Sequence, residues 1–203
     1  MIKKRDFDVL GILLAVVIGI FLGYLIGTRF DLGGTEEVIN PEGENEIEKI
    51  EYIYLLQIAK FDNPDGALNY QTVLKNKEMD AVVVYDGTFY YIYGGISSSE
   101  EGLKNLQSKF YVLGYDTIIK KELLIDKANS IIDNKNYYDF YSEAIHNLYL
   151  SLNNQPFTIS EKYYVNPIDI ELFTQLTILT NIKNDTLKLK AQLQAYKIII
   201  ESL

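Results

Sequence analysis

YIYLLQIAKF, residues 52–61, is the stretch of the chain that decides the fold. Aromatic and aliphatic residues fill it, and this composition is typical of a β-strand. Asn63 then suits a helix cap and Pro64 the first helical position, so a helix to about Lys77 is expected next. A strand followed directly by a helix is the first half of a βα repeat.

A β-hairpin is predicted next in the chain. Residues 81–85 and 88–93 are rich in β-formers and flank Asp86-Gly87. This dipeptide between two strands predicts a two-residue type I′ turn.

A second helix and a fourth strand complete the pattern. Ser97 or Ser98, with an acidic residue three positions later, forms a capping box that opens a helix to about Leu113. Residues 115–121 then have the composition of a strand. The order β-α-β-β-α-β predicts an α+β fold, a split βαβ (ferredoxin-like) sandwich. Both helices would cover one face of a four-stranded antiparallel sheet.

An uncharged apolar segment, Val9–Ile26, lies near the N-terminus. Its 18 residues would form about 27 Å of helix, enough to cross a bilayer. Lys3, Lys4 and Arg5 precede it and only Arg29 follows closely, so the N-terminus is expected in the cytoplasm and the rest outside. A cleavable signal peptide is the competing interpretation, but it would have a shorter apolar core and a small-residue cleavage site.

Small residues recur at every fourth position of this segment: Gly11, Ala15, Gly19, Gly23 and Gly27. They would line one helix face and let a second helix approach closely. The competing explanation is that glycine is common in membrane helices.

The region after the membrane segment is acidic. Beyond Arg29 the sequence has 15 lysines, no arginine and 26 acidic residues, a charge of −11. Nucleic acid and anionic lipid bind through clustered positive charge, so both are excluded as expected partners. Residues 31–49 hold seven acidic residues with little apolar periodicity, which predicts a flexible linker.

The last 80 residues change to helical spacing. Apolar residues follow it in three runs, 137–152, 172–182 and 189–203, which predicts a small bundle or a hairpin docked on the sandwich. The predicted organisation is a tail at 1–8, a membrane helix at 9–28, a linker at 29–50, the sandwich at 51–121 and a helical region at 122–203.

Four features follow one another in residues 54–121: YLLQIAKF, Ala67, FYYIYGGISSSEEGLKNL from Phe89 and GYDTII from Gly114. With these features in this order, the segment resembles a SPOR domain, the sporulation-related repeat of bacterial envelope and cell-division proteins. The positions that depart from the family's usual residues are Ala59, Lys60, Tyr90, Gly95 and Ile96.

This resemblance implies non-catalytic binding of peptidoglycan glycan strands stripped of their stem peptides, through the sheet face that the helices leave open. The hairpin pairing would join Val84 to Phe89 and Val82 to Tyr91. Tyr91 and Tyr93 occupy core positions of the family, so the other side would be open. The residues expected on that open face are Leu55, Gln57, Val83, Tyr85, Tyr90 and Ile92.

Neither a metal, nor a cofactor, nor a catalytic centre is predicted. The chain has one histidine, His146, and no cysteine or HExxH motif. The sequence therefore predicts a single-pass membrane protein that binds peptidoglycan outside the cell at sites of division or wall remodelling. Its membrane helix would pair with a second copy or with a division protein. The alternative is a membrane-anchored scaffold whose SPOR-like fold has lost the sugar and whose helical region recruits protein partners.

Overall fold

The computed structural model describes residues 51–131 and 134–203. The predicted membrane helix, its small-residue face at Gly11, Ala15, Gly19, Gly23 and Gly27, and the linker lie outside these residues. Among the described helices, none combines the length and the apolar character that a membrane crossing requires.

Four strands form one antiparallel sheet in the order β2-β3-β1-β4. They are β1 (Tyr52–Phe61), β2 (Val82–Tyr85), β3 (Tyr90–Ser97) and β4 (Ile118–Leu123). The YLLQIAKF segment lies in the centre, paired with β3 on one side and β4 on the other. The predicted α+β class and the four-stranded antiparallel sheet are confirmed.

Seven helices are described around this sheet: α1 (Pro64–Asn76), α2 (Glu101–Val112), α3 (Leu124–Ile131), α4 (Lys135–Leu152), α5 (Lys162–Val165), α6 (Ile170–Asn181) and α7 (Asp185–Ser202). The predicted cap of α1 is confirmed, because the Asn63 side-chain oxygen accepts from the Gly66 amide at 2.7 Å. The start of α2 differs from the prediction. Ser99 Oγ, not Ser97 or Ser98, accepts from the Gly102 amide at 3.3 Å.

The hairpin between β2 and β3 is longer than predicted. The Asp86 carboxylate accepts from the amides of Thr88 at 2.9 Å and Phe89 at 2.8 Å, and this organises a four-residue loop. Gly87 has a φ of +91°, which glycine adopts without strain. The expected two-residue turn was therefore wrong, and strand pairing moves by two residues, with Val84 opposite Tyr91.

Helices α1 and α2 pack on one face of the sheet, around a core that includes Leu56, Ile58 and Phe110. Glycine at two successive positions of β3 permits the close approach of α2. A Cβ on Gly94 would lie 2.7 Å from Ile58 Cδ1 and from Phe110 Cζ. A Cβ on Gly95 would lie 2.7 Å from Leu106 Cδ2.

Helices from the C-terminal region cover the opposite face of the sheet. Strand residues such as Leu55, Val82 and Tyr93 share one hydrophobic cluster with residues of α3, α4, α6 and α7. The described fold is therefore a three-layer arrangement with helices on both faces of the sheet. The C-terminal helices are docked on the sandwich, and α4, α6 and α7 match the three runs of helical spacing, whereas α3 and α5 had no run of their own.

Candidate functional site

The predicted open face does not exist as a single surface. Val83 and Ile92 are 8% and 0% exposed and lie in the core beneath α1 and α2, and Tyr90 packs against the same core. Tyr85, 39% exposed, stacks on Tyr90 with ring centroids 4.6 Å apart. The assignment of these four residues to an open face was wrong.

The reason lies in the apolar character of both sides of the hairpin. The strands of a sheet that is covered on both faces are apolar along their whole length. The alternation of apolar and polar residues therefore does not show which side of a strand packs against which helices. A bulge in β1 between Leu56 and Ala59 also places Gln57 opposite Tyr93. The sequence argument had grouped Gln57 with Tyr90 and Ile92 instead.

Leu55 and Gln57 belong to the face away from α1 and α2, as predicted, but that face is closed. Leu55 is 0% exposed within the C-terminal cluster, and Gln57 is 9% exposed. The Gln57 Oε1 atom is buried and has no hydrogen-bond partner. An unpartnered buried acceptor costs about 1–3 kcal/mol, and such groups are rare.

Helix α7 closes the β2–β3 half of this face with a row of apolar side chains. Leu193, Tyr196, Ile199 and Ile200 are all buried. The Tyr196 ring meets the Tyr93 ring edge to face, with centroids 5.6 Å apart. Lifting four such side chains into water would cost on the order of 6–12 kcal/mol as an upper estimate.

A polar network lies within this interface. The Tyr196 hydroxyl donates to Glu122 Oε2 at 3.0 Å, and the same oxygen lies 3.3 Å from Lys127 Nζ. Burial, and then the nearby Glu122 carboxylate, raises the pKa of Tyr196 well above its ordinary value. Tyr196 therefore stays neutral and acts as a donor that joins α7 to β4.

Two further contacts tie α7 to the edge of the sheet. Glu201 Oε1 accepts from the Tyr85 backbone amide at 3.1 Å. Lys190 Nζ lies 3.4 Å from Asp80 Oδ1, with both side chains about half exposed. The exposed ion pair contributes little, so apolar packing holds the helix on the sheet.

Lysines meet aromatic rings where the hairpin ends, a feature that the sequence argument missed. Lys60 Nζ lies 3.4 Å from the centroid of the Phe89 ring, and Lys120 Nζ lies 4.6 Å from that of Tyr91. Both distances suit cation–π attraction. These contacts link the hairpin to β1 and to β4, the strand beyond it.

A polar groove of about 590 Å³ lies in the helical region, between the start of α4 and the segment around α5. The name polar groove is kept for it below, and its lining includes Tyr163, Pro167 and Ile168 beside the polar residues Asn134, Asn136, Tyr137, Asp139, Lys162 and Asn166. The helical periodicity that predicted α4 gave no sign of it, because its side chains come from a helix start and a distant loop.

The groove has a fixed framework. The Glu143 carboxylate of α4 binds both the amide and the hydroxyl of Ser160, each at 2.6 Å. The Tyr163 ring packs edge to face on Phe140, with centroids 4.9 Å apart. These contacts anchor the segment that carries Lys162 and Asn166 on α4.

Tyr163 lines the groove and is 5% exposed. Its hydroxyl is buried and has no partner at hydrogen-bond geometry. The Lys162 ammonium lies 4.6 Å from the Tyr163 ring centroid.

The described residues contain no group of three or more His, Cys, Asp or Glu side chains that could hold a metal ion. His146 is exposed, with Nδ1 2.8 Å from Glu51 Oε1. It lies on the surface of α4.

The chain is similar to one solved structure, the solution structure of the peptidoglycan binding domain of the B. subtilis cell wall lytic enzyme CwlC. The two are 20% identical, and the similarity covers 41% of this chain and 99% of that domain, with a TM-score of 0.32. Neither a family model nor a curated protein matches the chain.

Proposed function

We propose that this chain is a single-pass, non-enzymatic peptidoglycan-binding protein of the bacterial envelope that acts at sites of division or wall remodelling. The observation that supports the proposal is that the segment resembling a SPOR domain forms a four-stranded antiparallel sheet with YLLQIAKF as a central strand. The acidic charge beyond Arg29 and the basic N-terminus support an exported domain held at the membrane.

The glycan contact lies outside the sheet face in this proposal. A glycan strand could reach Leu55 or Gln57 only after their covering had opened, because Leu55 is buried within the C-terminal cluster and Gln57 is only 9% exposed. An opening cost of about 5.5 kcal/mol would already lower the apparent affinity about 10⁴-fold. A second contact surface is therefore required.

A scaffold that recruits proteins is the second candidate function. The closed sheet face favours it, because the surface that binds glycan in the resembling family here packs against α7. The sandwich would then be a platform for the helical region, and protein partners would bind that region.

Sedimentation with purified sacculi tests the proposal. The full chain in detergent would be mixed with sacculi before and after amidase treatment, beside the Gln57→Leu variant. We expect retention that rises after amidase treatment and is equal in both proteins, because the Gln57 amide is buried.

The outcomes separate the candidates. Retention that falls in Gln57→Leu would show that the sheet face opens and binds glycan. An absence of retention on either kind of sacculi would contradict peptidoglycan binding and favour the scaffold.

A further inference from the structure

We propose that the polar groove binds a short oligosaccharide of N-acetylated sugars. This inference rests on the proposed function, since it names the surface through which the glycan is held. It assigns binding to the helical region and not to the sandwich.

The side chains of the groove suit sugar hydroxyls and acetamido groups. Asn136 and Asn166 carry amides that both donate and accept hydrogen bonds, and Asn134, whose side-chain oxygen accepts from the Asn136 amide at 3.0 Å, offers its NH₂ group as a donor. The Tyr137 ring is 49% exposed at the groove, and such a ring offers a flat apolar face for a pyranose. Amides beside a half-exposed ring form a mixed surface that neither an apolar ligand nor a bare ion would match.

The charge of the groove selects against polyanions. One ammonium, on Lys162, is balanced by one carboxylate, on Asp139. Nucleic acid and anionic lipid need several clustered cations. A neutral glycan, or a glycan with an isolated carboxylate that could pair with Lys162, fits this charge balance.

The buried Tyr163 hydroxyl gives a second, independent sign of a ligand. The residue is 5% exposed, lines the groove, and its hydroxyl has no hydrogen-bond partner. Buried tyrosine hydroxyls usually find a partner. Because this hydroxyl is closed to solvent, a sugar hydroxyl in the groove would reach it once a neighbouring side chain had moved aside.

The groove is also held ready for a ligand. Glu143 binds Ser160 twice, and Asp169 caps α6 through the Leu172 amide at 2.9 Å while accepting from the Tyr141 hydroxyl at 3.3 Å. The loop that carries Asn166 is therefore fixed at both ends. Binding a ligand here would therefore cost less conformational entropy than binding it at a mobile loop.

Titration calorimetry with an N-acetylglucosamine tetramer tests the assignment, using the full chain in detergent. The test variants are Tyr137→Ala and Asn166→Ala, both at exposed positions. The matched controls are Tyr111→Ala and Asn105→Ala on α2, which are also exposed and far from the groove in sequence. Sedimentation with amidase-treated sacculi would be run on the same five proteins.

We expect the two groove variants to weaken tetramer binding about tenfold, as for the loss of about 1.4 kcal/mol, and the two controls to bind as wild type. Sacculus binding that is equal in all five proteins would overturn the groove assignment and leave the proposed function standing. A wild-type protein that binds neither the tetramer nor sacculi would overturn both. Circular dichroism of each variant confirms that it is folded.

Discussion

The two faces of the sheet are covered by helices that come from different parts of the chain. On one face, α1 and α2 derive from the same run as the strands, and the core contains eight buried residues. On the other, the C-terminal helices form with the strands a cluster of 25 buried residues. The larger core therefore belongs to the face that a free-standing sandwich would leave open, so the helical region is an integral part of the fold.

Neighbouring tyrosines of β3 show the same contrast. Tyr90 packs towards α1 and α2 and stacks on Tyr85 at the edge. Tyr91 and Tyr93 point to the opposite side, where Tyr93 meets Tyr196 of α7. The partner available in the tertiary structure, and not the residue type, decides which tyrosine is buried.

Tyr196→Ala should give the largest effect, because it empties the centre of the larger core and removes the hydroxyl bound to Glu122. We expect the free energy of unfolding to fall by about 3–5 kcal/mol, measured by urea denaturation. Tyr111→Ala, at a residue 72% exposed, should change it by less than about 0.5 kcal/mol. We expect the amide hydrogen exchange of β1 to accelerate in Tyr196→Ala. Exchange that stayed slow would show that the helical region is a separate unit.

Gly94→Ala tests the smaller face. The new methyl would lie 2.7 Å from the Phe110 ring, so α2 must shift or Phe110 must leave its rotamer. We expect a loss of about 1–3 kcal/mol in the same assay. Asn105→Ala on the exposed side of α2 is the control. Unchanged stability in Gly94→Ala would mean that α2 does not need this close approach.

Asp86→Ala tests the hairpin loop. The strands that this loop joins contact one core on each face of the sheet. Partial burial raises the pKa of Asp86, but the amides of Phe89 and Thr88 and the Tyr91 hydroxyl outweigh it and hold the pKa below its usual value. Because its pKa is lower in the folded protein, the Asp86 carboxylate stabilises the fold at pH values above the pKa of the unfolded state, about 3.9. This stabilisation is lost as the pH falls through the pKa of the folded state.

We therefore expect Asp86→Ala to destabilise by about 1 kcal/mol at pH 7 and by less at pH 3. Urea denaturation at the two pH values measures the difference. An equal loss at both would show that the charge of Asp86 does not matter to the loop.

Lys190→Ala should give the smallest effect. Its ion pair with Asp80 joins α7 to the chain beside β2, but both side chains are about half exposed. We expect the free energy of unfolding to change by less than about 0.5 kcal/mol, whereas Tyr196→Ala should lower it by several kcal/mol. A larger loss, reversed in Lys190→Arg, would show that ionic contacts and not apolar packing hold this face closed.

Local signals predicted the elements of the fold well. The strand at residues 52–61 and the Asn63 cap were placed correctly because both depend on neighbouring residues. The hairpin register was off by two residues, since the side chain of Asp86 accepts the loop amides and lengthens the loop beyond the two residues of the Asp-Gly signal. Helix α3 was not predicted as a separate element because it is short and joins β4 directly.

The candidate site was predicted poorly for a physical reason. Gln57 was correctly placed on the Tyr93 side of the sheet, away from α1 and α2, but nothing local states that helices from the C-terminal region would cover that face. The polar groove joins residues around 134–139 to residues around 162–166. Such a juxtaposition depends on the packing of α4 against the following loop and leaves no periodic pattern.

By itself the sequence determined the order of strands and helices, the capping of the first helix and the antiparallel sheet, because these follow from short-range backbone preferences and apolar spacing. The tertiary structure alone decided which face each strand residue occupies, because both faces of the hairpin are apolar and only long-range packing distinguishes them. It also decided that α7 closes the sheet, since burying Leu193, Tyr196, Ile199 and Ile200 together outweighs leaving that face to solvent.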